Sequence, residues 1–203
     1  TQSFVIPYLV PMIENAGGYV LMPRERDTQI NEIISDNDVC YNGSDGRIIG
    51  RYEENEGWND AGAGFADTKP FYTGTENPFT LGTARQCDCI DSGNRKAASR
   101  IIWRADVPER GEYAVYISYK SLPKSTSAAD YTVRHLGGES RFTVNQKMGG
   151  GTWVYLGTFE FDEGDSGYVR LSSATSKGYS HEKGSIVSAD AVRFGGGMGN
   201  IAR

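Results

Sequence analysis

The chain has 203 residues, enough for one sizeable domain or one domain plus a fragment, and 38% of them are hydrophobic, which suits a packed core. A net charge of −5 argues against a general nucleic-acid binder, which needs clustered Lys and Arg to neutralise phosphates. No apolar run reaches the roughly 20 residues that a membrane helix needs, and the 26 glycines point to a turn-rich β protein.

The chain starts without Met and shows no leader sequence, so it reads as a processed or excised segment. Over residues 4–16, Val5, Leu9, Met12 and Ala16 form a helical stripe. Pro7 suits a first turn, Pro11 forces a kink or a later start, and Gly17-Gly18 ends the helix. Tyr19 to Met22 is a short buried strand. One helix and one strand cannot close a core, so residues 1–38 read as the stub of a host α/β domain. Within it, Pro23 to Asp27 is a charged loop at a strand end, and Asp27 or Thr28 caps a short helix that closes at Asp36 to Asp38.

Residues 40–95 are irregular. Asn42-Gly43 and Asp45-Gly46 are turn pairs, and Arg51-Tyr52 belongs to a short strand. Gly57 to Asn59 and the small-residue run Ala61 to Gly64 read as surface loops. A Pro- and Gly-rich stretch then carries Phe65, Phe71, Tyr72, Phe79 and Leu81; long irregular segments of this kind are usually functional or packed across a sheet.

From Ser99 onward the period becomes two. Ile101 and Trp103 alternate with Ile102 and Arg104; Tyr113, Val115, Ile117 and Tyr119 follow a turn at Pro108 to Gly111. Tyr131, Val133 and His135 lead to Gly137-Gly138, a tight-turn signal, and Phe142 and Val144 return. After Gly149 to Gly151, the residues Trp153, Tyr155, Gly157 and Phe159 alternate with Val154, Leu156, Thr158 and Glu160. Tyr168 to Leu171 and Ile186 to Phe194 complete seven or eight antiparallel strands. The expected fold is mainly β: an antiparallel β-sandwich of jelly-roll-like order over residues 39–196, with a short N-terminal α/β segment and an exit tail at 197–203.

Three cysteines, Cys40, Cys87 and Cys89, are compatible with one disulfide from Cys40 to Cys87 or Cys89 in an oxidising compartment, or with idle buried thiols. Cys87-Asp88-Cys89 lacks the spacing and the second ligand pair of a zinc site. Asp88, Asp91, Asp162 and Asp165 could supply oxygens to a structural Ca²⁺, but their spacing fits no known loop and they read as solvated turns. No metal or other cofactor is expected. Neither a Gly-x-Ser-x-Gly elbow nor an HExxH motif occurs, and Asp130, Glu160 and Asp190 cannot be paired as acid and base, so no catalytic residue is assigned.

Six residues are candidates for ligand contact. Trp58, Tyr72 and Tyr179 lie in predicted loops, where aromatic rings can stack on the C–H faces of sugars, whereas Trp103 and Trp153 sit in alternating strands and read as core. His135, before the tight turn, and Asn145-Gln146, ending the partner strand, come together if the hairpin is regular. That polar cluster could bind a glycan or satisfy loop backbone groups.

The later half resembles the golvesin C-terminal-like domain, also described as the carbohydrate-binding-like domain of xanthan lyases. The resemblance rests on Gly111 to Tyr116, Tyr131 to Val133 with His135 and Gly137-Gly138, Val144 to Gln146, Gly150 to Trp153 with Leu156 to Thr158, and Ala189 to Phe194. It implies a β-sandwich accessory module of extracellular bacterial proteins, with a polysaccharide or peptidoglycan as partner and a secreted, periplasmic or cell-envelope location. Leu9 to Asp27 is similar to the first helix and strand of zinc-dependent N-acetylmuramoyl-L-alanine amidases. That implies a host hydrolase domain in the same polypeptide. Its metal site cannot be complete here, because His135 and His181 are the only histidines and both lie in the β part. The combined expectation is a non-catalytic carbohydrate-binding-like module; the alternatives are a structural spacer or docking domain, or part of a polysaccharide lyase or cell-wall amidase.

Overall fold

The computed structural model describes residues 33–36, 40–42, 51–64, 83–195 and 201–202. The predicted N-terminal helix, the strand at Tyr19 to Met22 and the loop aromatics from Phe65 to Leu81 lie outside the described residues. The strands are β1 (Ile33–Asp36), β2 (Cys40–Asn42), β3 (Arg51–Glu54), β4 (Asn59–Ala63), β5 (Thr83–Asp88), β6 (Arg100–Arg104), β7 (Gly111–Ile117), β8 (Ala129–His135), β9 (Gly138–Val144), β10 (Val154–Phe161), β11 (Tyr168–Ser172), β12 (Ile186–Ala189), β13 (Ala191–Phe194) and β14 (Ile201–Ala202). A 3-10 helix, Ser92–Ala97, is capped by the Asp91 carboxylate, which accepts from the Gly93 amide.

Two sheets form the sandwich. One runs β14-β10-β7-β13-β1-β2 and the other β3-β6-β11-β8-β9, while β12-β5-β4 forms a smaller third sheet. Pairing is antiparallel except between β10 and β14. The alternation in β6, β8 and β11 turns Ile101, Trp103, Tyr131, Val133, Val169 and Leu171 onto one inner face, all of them buried. Val115, Ile117, Phe161, Val192 and Phe194 meet them from the other sheet. Phe161 packs edge-on against both Tyr113 and Phe194, with ring centroids 6.1 and 5.6 Å apart. Each such side chain contributes on the order of 1.5–3 kcal/mol by leaving water.

Four local differences from the sequence reading have physical causes. Residues 33–36, read as the end of the stub, form β1 inside the six-stranded sheet, where Ile33 pairs with Phe194 and fills the core. Asn59–Ala63, read as loop, is β4: its small residues pair with β5, and Lys120 Nζ donates to the Ala61 carbonyl at 2.7 Å. The β8–β9 loop is Leu136-Gly137, because His135 pairs directly with Gly138, whose φ of +123° starts the return strand. In β10 a bulge at Leu156 interrupts the alternation, since Tyr155 opposes Tyr116 while Gly157 opposes Val115. Val154 and Phe159 therefore both face the main core. Tyr155 turns outward with Trp153 onto a second buried cluster, where the Arg193 guanidinium lies 4.1 Å from the Tyr116 ring centre. Trp103 and Trp153 are both buried, as the alternation predicts, but on opposite sides of the sheets.

Cys87 and Cys89 are free buried thiols, so the disulfide to Cys40 does not form. Burial pushes both thiols up, Cys89 to about 11. The glycine run after β9 holds a close backbone approach: a Cβ on Gly150 would lie 2.3 Å from the Ser121 backbone nitrogen. Gly150→Ala is expected to cost about 1–3 kcal/mol through overpacking, read as a lower urea midpoint at unchanged slope.

Candidate functional site

The six sequence candidates separate. Trp58 is 7% exposed and belongs to the main core with Cys87, so its ring is not available for stacking on a sugar. The Gly57 turn before β4 points it inward. Tyr72 lies outside the described residues. Gln146 is 0% exposed and is a structural bridge: Nε2 donates to the Tyr131 hydroxyl at 3.1 Å and to the Ser188 carbonyl at 2.8 Å, and Oε1 accepts from the Ser188 amide at 2.9 Å. The hairpin is regular, but that regularity separates His135 from Asn145 rather than joining them. His135 sits at the turn opposite Gly138, and Asn145 follows Val144 at the open end. Seven residues of strand between them span about 23 Å.

Both ring nitrogens of His135 are engaged locally. Nδ1 accepts from the Gly137 amide at 3.2 Å, which makes Nε2 the donor to Ser140 Oγ at 3.0 Å, and the ring packs 4.9 Å from that of Phe159. Its position is that of a hairpin pin.

Asn145 and Tyr179 are exposed and belong to loops at one end of the sandwich. The β7–β8, β9–β10 and β11–β12 connections meet there because the corresponding strand ends are in register. Lys147 Nζ bonds both carboxylate oxygens of Glu182 at 2.9 Å, tying the second loop to the third. A cleft of about 230 Å³ opens beside that pair, lined by Lys124, Lys147, Glu182 and Lys183. Asn145 Oδ1 caps the turn by accepting from the Lys147 amide. Tyr179, 51% exposed, presents a ring to solvent.

A second surface was missed. The outer face of the five-stranded sheet carries the polar partners of the alternating core residues. Cross-strand rows read Arg51, Arg104, Tyr168, Arg134, Glu139, then Glu53, Ile102, Arg170, Thr132, Arg141, then Arg100, Ser172, Asp130, Thr143. Arg95 reaches onto this face from the 3-10 helix and meets Asp130 at 2.5 Å. Seven arginines thus stand among four nearby carboxylates, Glu53, Asp130, Glu139 and Asp165, on a chain that is acidic overall. Tyr168 lies at the centre: the guanidinium carbons of Arg104 and Arg170 sit 5.0 and 5.9 Å from its ring centre, and its hydroxyl donates to Glu139 at 3.1 Å. Reading Arg100, Arg104, Arg134, Arg141 and Arg170 as one surface requires strand register, which the apolar positions alone do not supply.

The four aspartates considered for Ca²⁺ do not converge. Asp91 caps the 3-10 helix, Asp162 accepts from the Glu163 amide, and Asp165 lies 3.7 Å from Arg51. Among the described residues no group of three or more potential metal ligands gathers.

The fold defines the class: an antiparallel two-sheet sandwich with an open, charged outer face and a loop-built cleft at one end. Residues 83–196 match the model of the Golvesin C-terminal domain, and the chain belongs to that family. Over 107 residues it is 31% identical to xanthan lyase from Bacillus sp. (strain GL1), an alignment that covers 51% of this chain and 11% of the relative. The structure of a Paenibacillus xanthan lyase matches with a TM-score of 0.50 at 23% identity, covering 82% of this chain and 13% of that one. The shared fold therefore extends beyond residues 83–196. A carbohydrate binding module from Cellvibrio mixtus lichenase 5A, in complex with cellotriose, aligns at a TM-score of 0.39 and 13% identity, over 73% of this chain and 98% of that one. The chain spans about a tenth of the length of the xanthan lyases it matches. The amidase-like resemblance of residues 9–27 lies outside both the matched span and the described residues.

Proposed function

We propose that this chain is a non-catalytic, carbohydrate-binding-like accessory domain of a larger polysaccharide-acting protein that is secreted or held at the cell envelope. The observation that supports it best is the alignment itself: a domain of this kind makes up a small share of a relative named for its action on xanthan. Such a module raises the effective concentration of its host domain on an insoluble or polymeric substrate. Extracellular polysaccharide and peptidoglycan are both partners within this reading, and the host domain belongs to the same polypeptide. The two exposed surfaces offer what sugars need: aromatic plates at Tyr168 and Tyr179, and hydrogen-bonding groups around each.

The test is retention of the chain on immobilised xanthan, peptidoglycan and a neutral β-glucan, repeated with Tyr168→Ala and Tyr179→Ala. Retention on at least one polymer, weakened several-fold by one of the two variants, is the expected result and identifies the surface used. Absence of retention on every polymer, with cooperative thermal unfolding intact, removes the binding role and leaves a spacer.

A further inference from the structure

We infer that the outer face of the five-stranded sheet takes the carboxylates of an acidic glycan, in a cleft between Arg100 and Arg141. This rests on the glycan-binding reading above and gives it a site and a ligand class. The cleft has a volume of about 190 Å³ and is lined by Arg95, Arg100, Asp130, Arg141, Arg170 and Ser172. Four guanidiniums against one carboxylate make it strongly cationic.

The arginines fall into two kinds. Arg95 is fixed: it pairs with the buried Asp130 and donates to the Thr175 carbonyl at 3.2 Å. Arg170 is also held, donating to Thr132 Oγ1 at 3.3 Å with Glu139 at 3.7 Å. Their charges are partly met within the protein and serve as rigid walls. Arg100 and Arg141 are exposed, and among the described residues neither has a carboxylate within ion-pair distance. They stand three strands apart, with backbones about 14 Å from each other across the sheet, yet both line the same cleft. Two unpaired cations turned toward one concavity leave it short of anionic partners.

The residue type points to the ligand. All the cations of this cleft are arginine, whose planar fork matches a carboxylate through two parallel hydrogen bonds. The carboxylates interspersed across the rest of the face would repel a polymer of dense charge such as a nucleic acid or polyphosphate. A chain with one carboxylate per sugar and uncharged rings between them suits this spacing, and Tyr168, one row beyond Arg170 on β11, offers a ring beside the cleft.

The experiment titrates the chain with polygalacturonate, its fully methyl-esterified form, dextran and dextran sulfate, using wild type, Arg100→Ala/Arg141→Ala and Arg100→Lys/Arg141→Lys. Binding to polygalacturonate is expected to exceed binding to the methyl ester by at least about tenfold and to weaken as salt rises. The alanine pair should lose about tenfold and the lysine pair somewhat less, because lysine keeps the charge but not the fork. Both pairs should melt with wild type, since the side chains are exposed and unpaired. Equal or tighter binding of dextran sulfate overturns the carboxylate assignment. Binding to a neutral polymer that the alanine pair leaves unchanged overturns this inference but leaves the glycan-binding reading intact. Failure to bind any of these four polymers overturns this inference, and the glycan-binding reading falls with it only if xanthan, peptidoglycan and the β-glucan also fail to retain the chain.

Discussion

Replacing Gln146 with Leu is expected to destabilise the domain by about 3 kcal/mol, since each buried polar group left without its partner costs about 1–3 kcal/mol. The side chain is fully buried and joins two strands: it bonds the Tyr131 hydroxyl on β8 and both backbone groups of Ser188 on β12, while the backbone amide of the same residue donates to the Thr126 carbonyl. Leu has a similar volume, so no large cavity forms and the loss is that of the polar partners. Ser188 would keep a buried N–H and C=O with nothing to meet them, and Tyr131 would lose its donor. For a domain of this size the melting temperature should fall by about 6–12 °C. Tyr131→Phe removes the orphaned hydroxyl as well, so the double variant should lose measurably less than the sum of the two singles. Urea titration of the four proteins decides it; a Gln146→Leu change below about 0.5 kcal/mol, the range of ordinary surface substitutions, would return Gln146 to the pool of ligand contacts.

Gln146 also shows why the fold was more legible than the site. Between Arg100 and Phe194, period-two alternation marks strands because every second side chain must leave water. It cannot foresee an insertion: one extra residue at Leu156 moves Tyr155 and Phe159 to opposite faces of β10. It also says little about strands built from small or polar residues, which is why Asn59–Ala63 read as a loop. For site residues the failure was of another kind. Trp58 and Gln146 were judged by residue type and by a place in a loop or at a strand's end, but exposure is set by what packs across them, which a local window does not contain. The arginine face was hidden for a related reason. Arg100, Arg141 and Arg170 lie far apart in sequence and converge only through the β6–β11–β8–β9 register. The family resemblance was legible because its motifs lie in the strands and turns of the later half, where residue identity is tied to backbone geometry.

The domain is expected to lose its stability steeply in alkali, from groups that must stay protonated to remain folded. Burial raises the Cys89 thiol from 9.0 to about 11 and the Tyr119 phenol from 10.0 to about 12. Burial, with the neighbouring Tyr119 adding to it, pushes the fully buried Tyr131 well above 10.0. Tyr119 also needs its proton for structure, because its hydroxyl donates to the Met148 carbonyl at 2.8 Å and anchors the β9–β10 loop. Below about pH 8 all three groups are protonated in both the folded and unfolded chains, and stability does not depend on them. Above the unfolded values the unfolded chain releases protons that the folded chain retains, so unfolding becomes more favourable as pH rises. Each group contributes up to about 1.4 kcal/mol per pH unit while the two states differ, and because each is only partly ionised in one state or the other, the three together give about 3 kcal/mol per unit between pH 10 and 11. That slope is large beside a typical total stability of about 5–15 kcal/mol, so cooperative unfolding should fall within this window. It should appear as coincident loss of near-ultraviolet circular dichroism and gain of tyrosinate absorbance. Tyr119→Phe should start less stable but show a slope shallower by about one group. A urea midpoint that stays level from pH 8 through pH 11 would mean these side chains reach solvent without unfolding, and the buried hydroxyl and thiol network would then not be part of the rigid core.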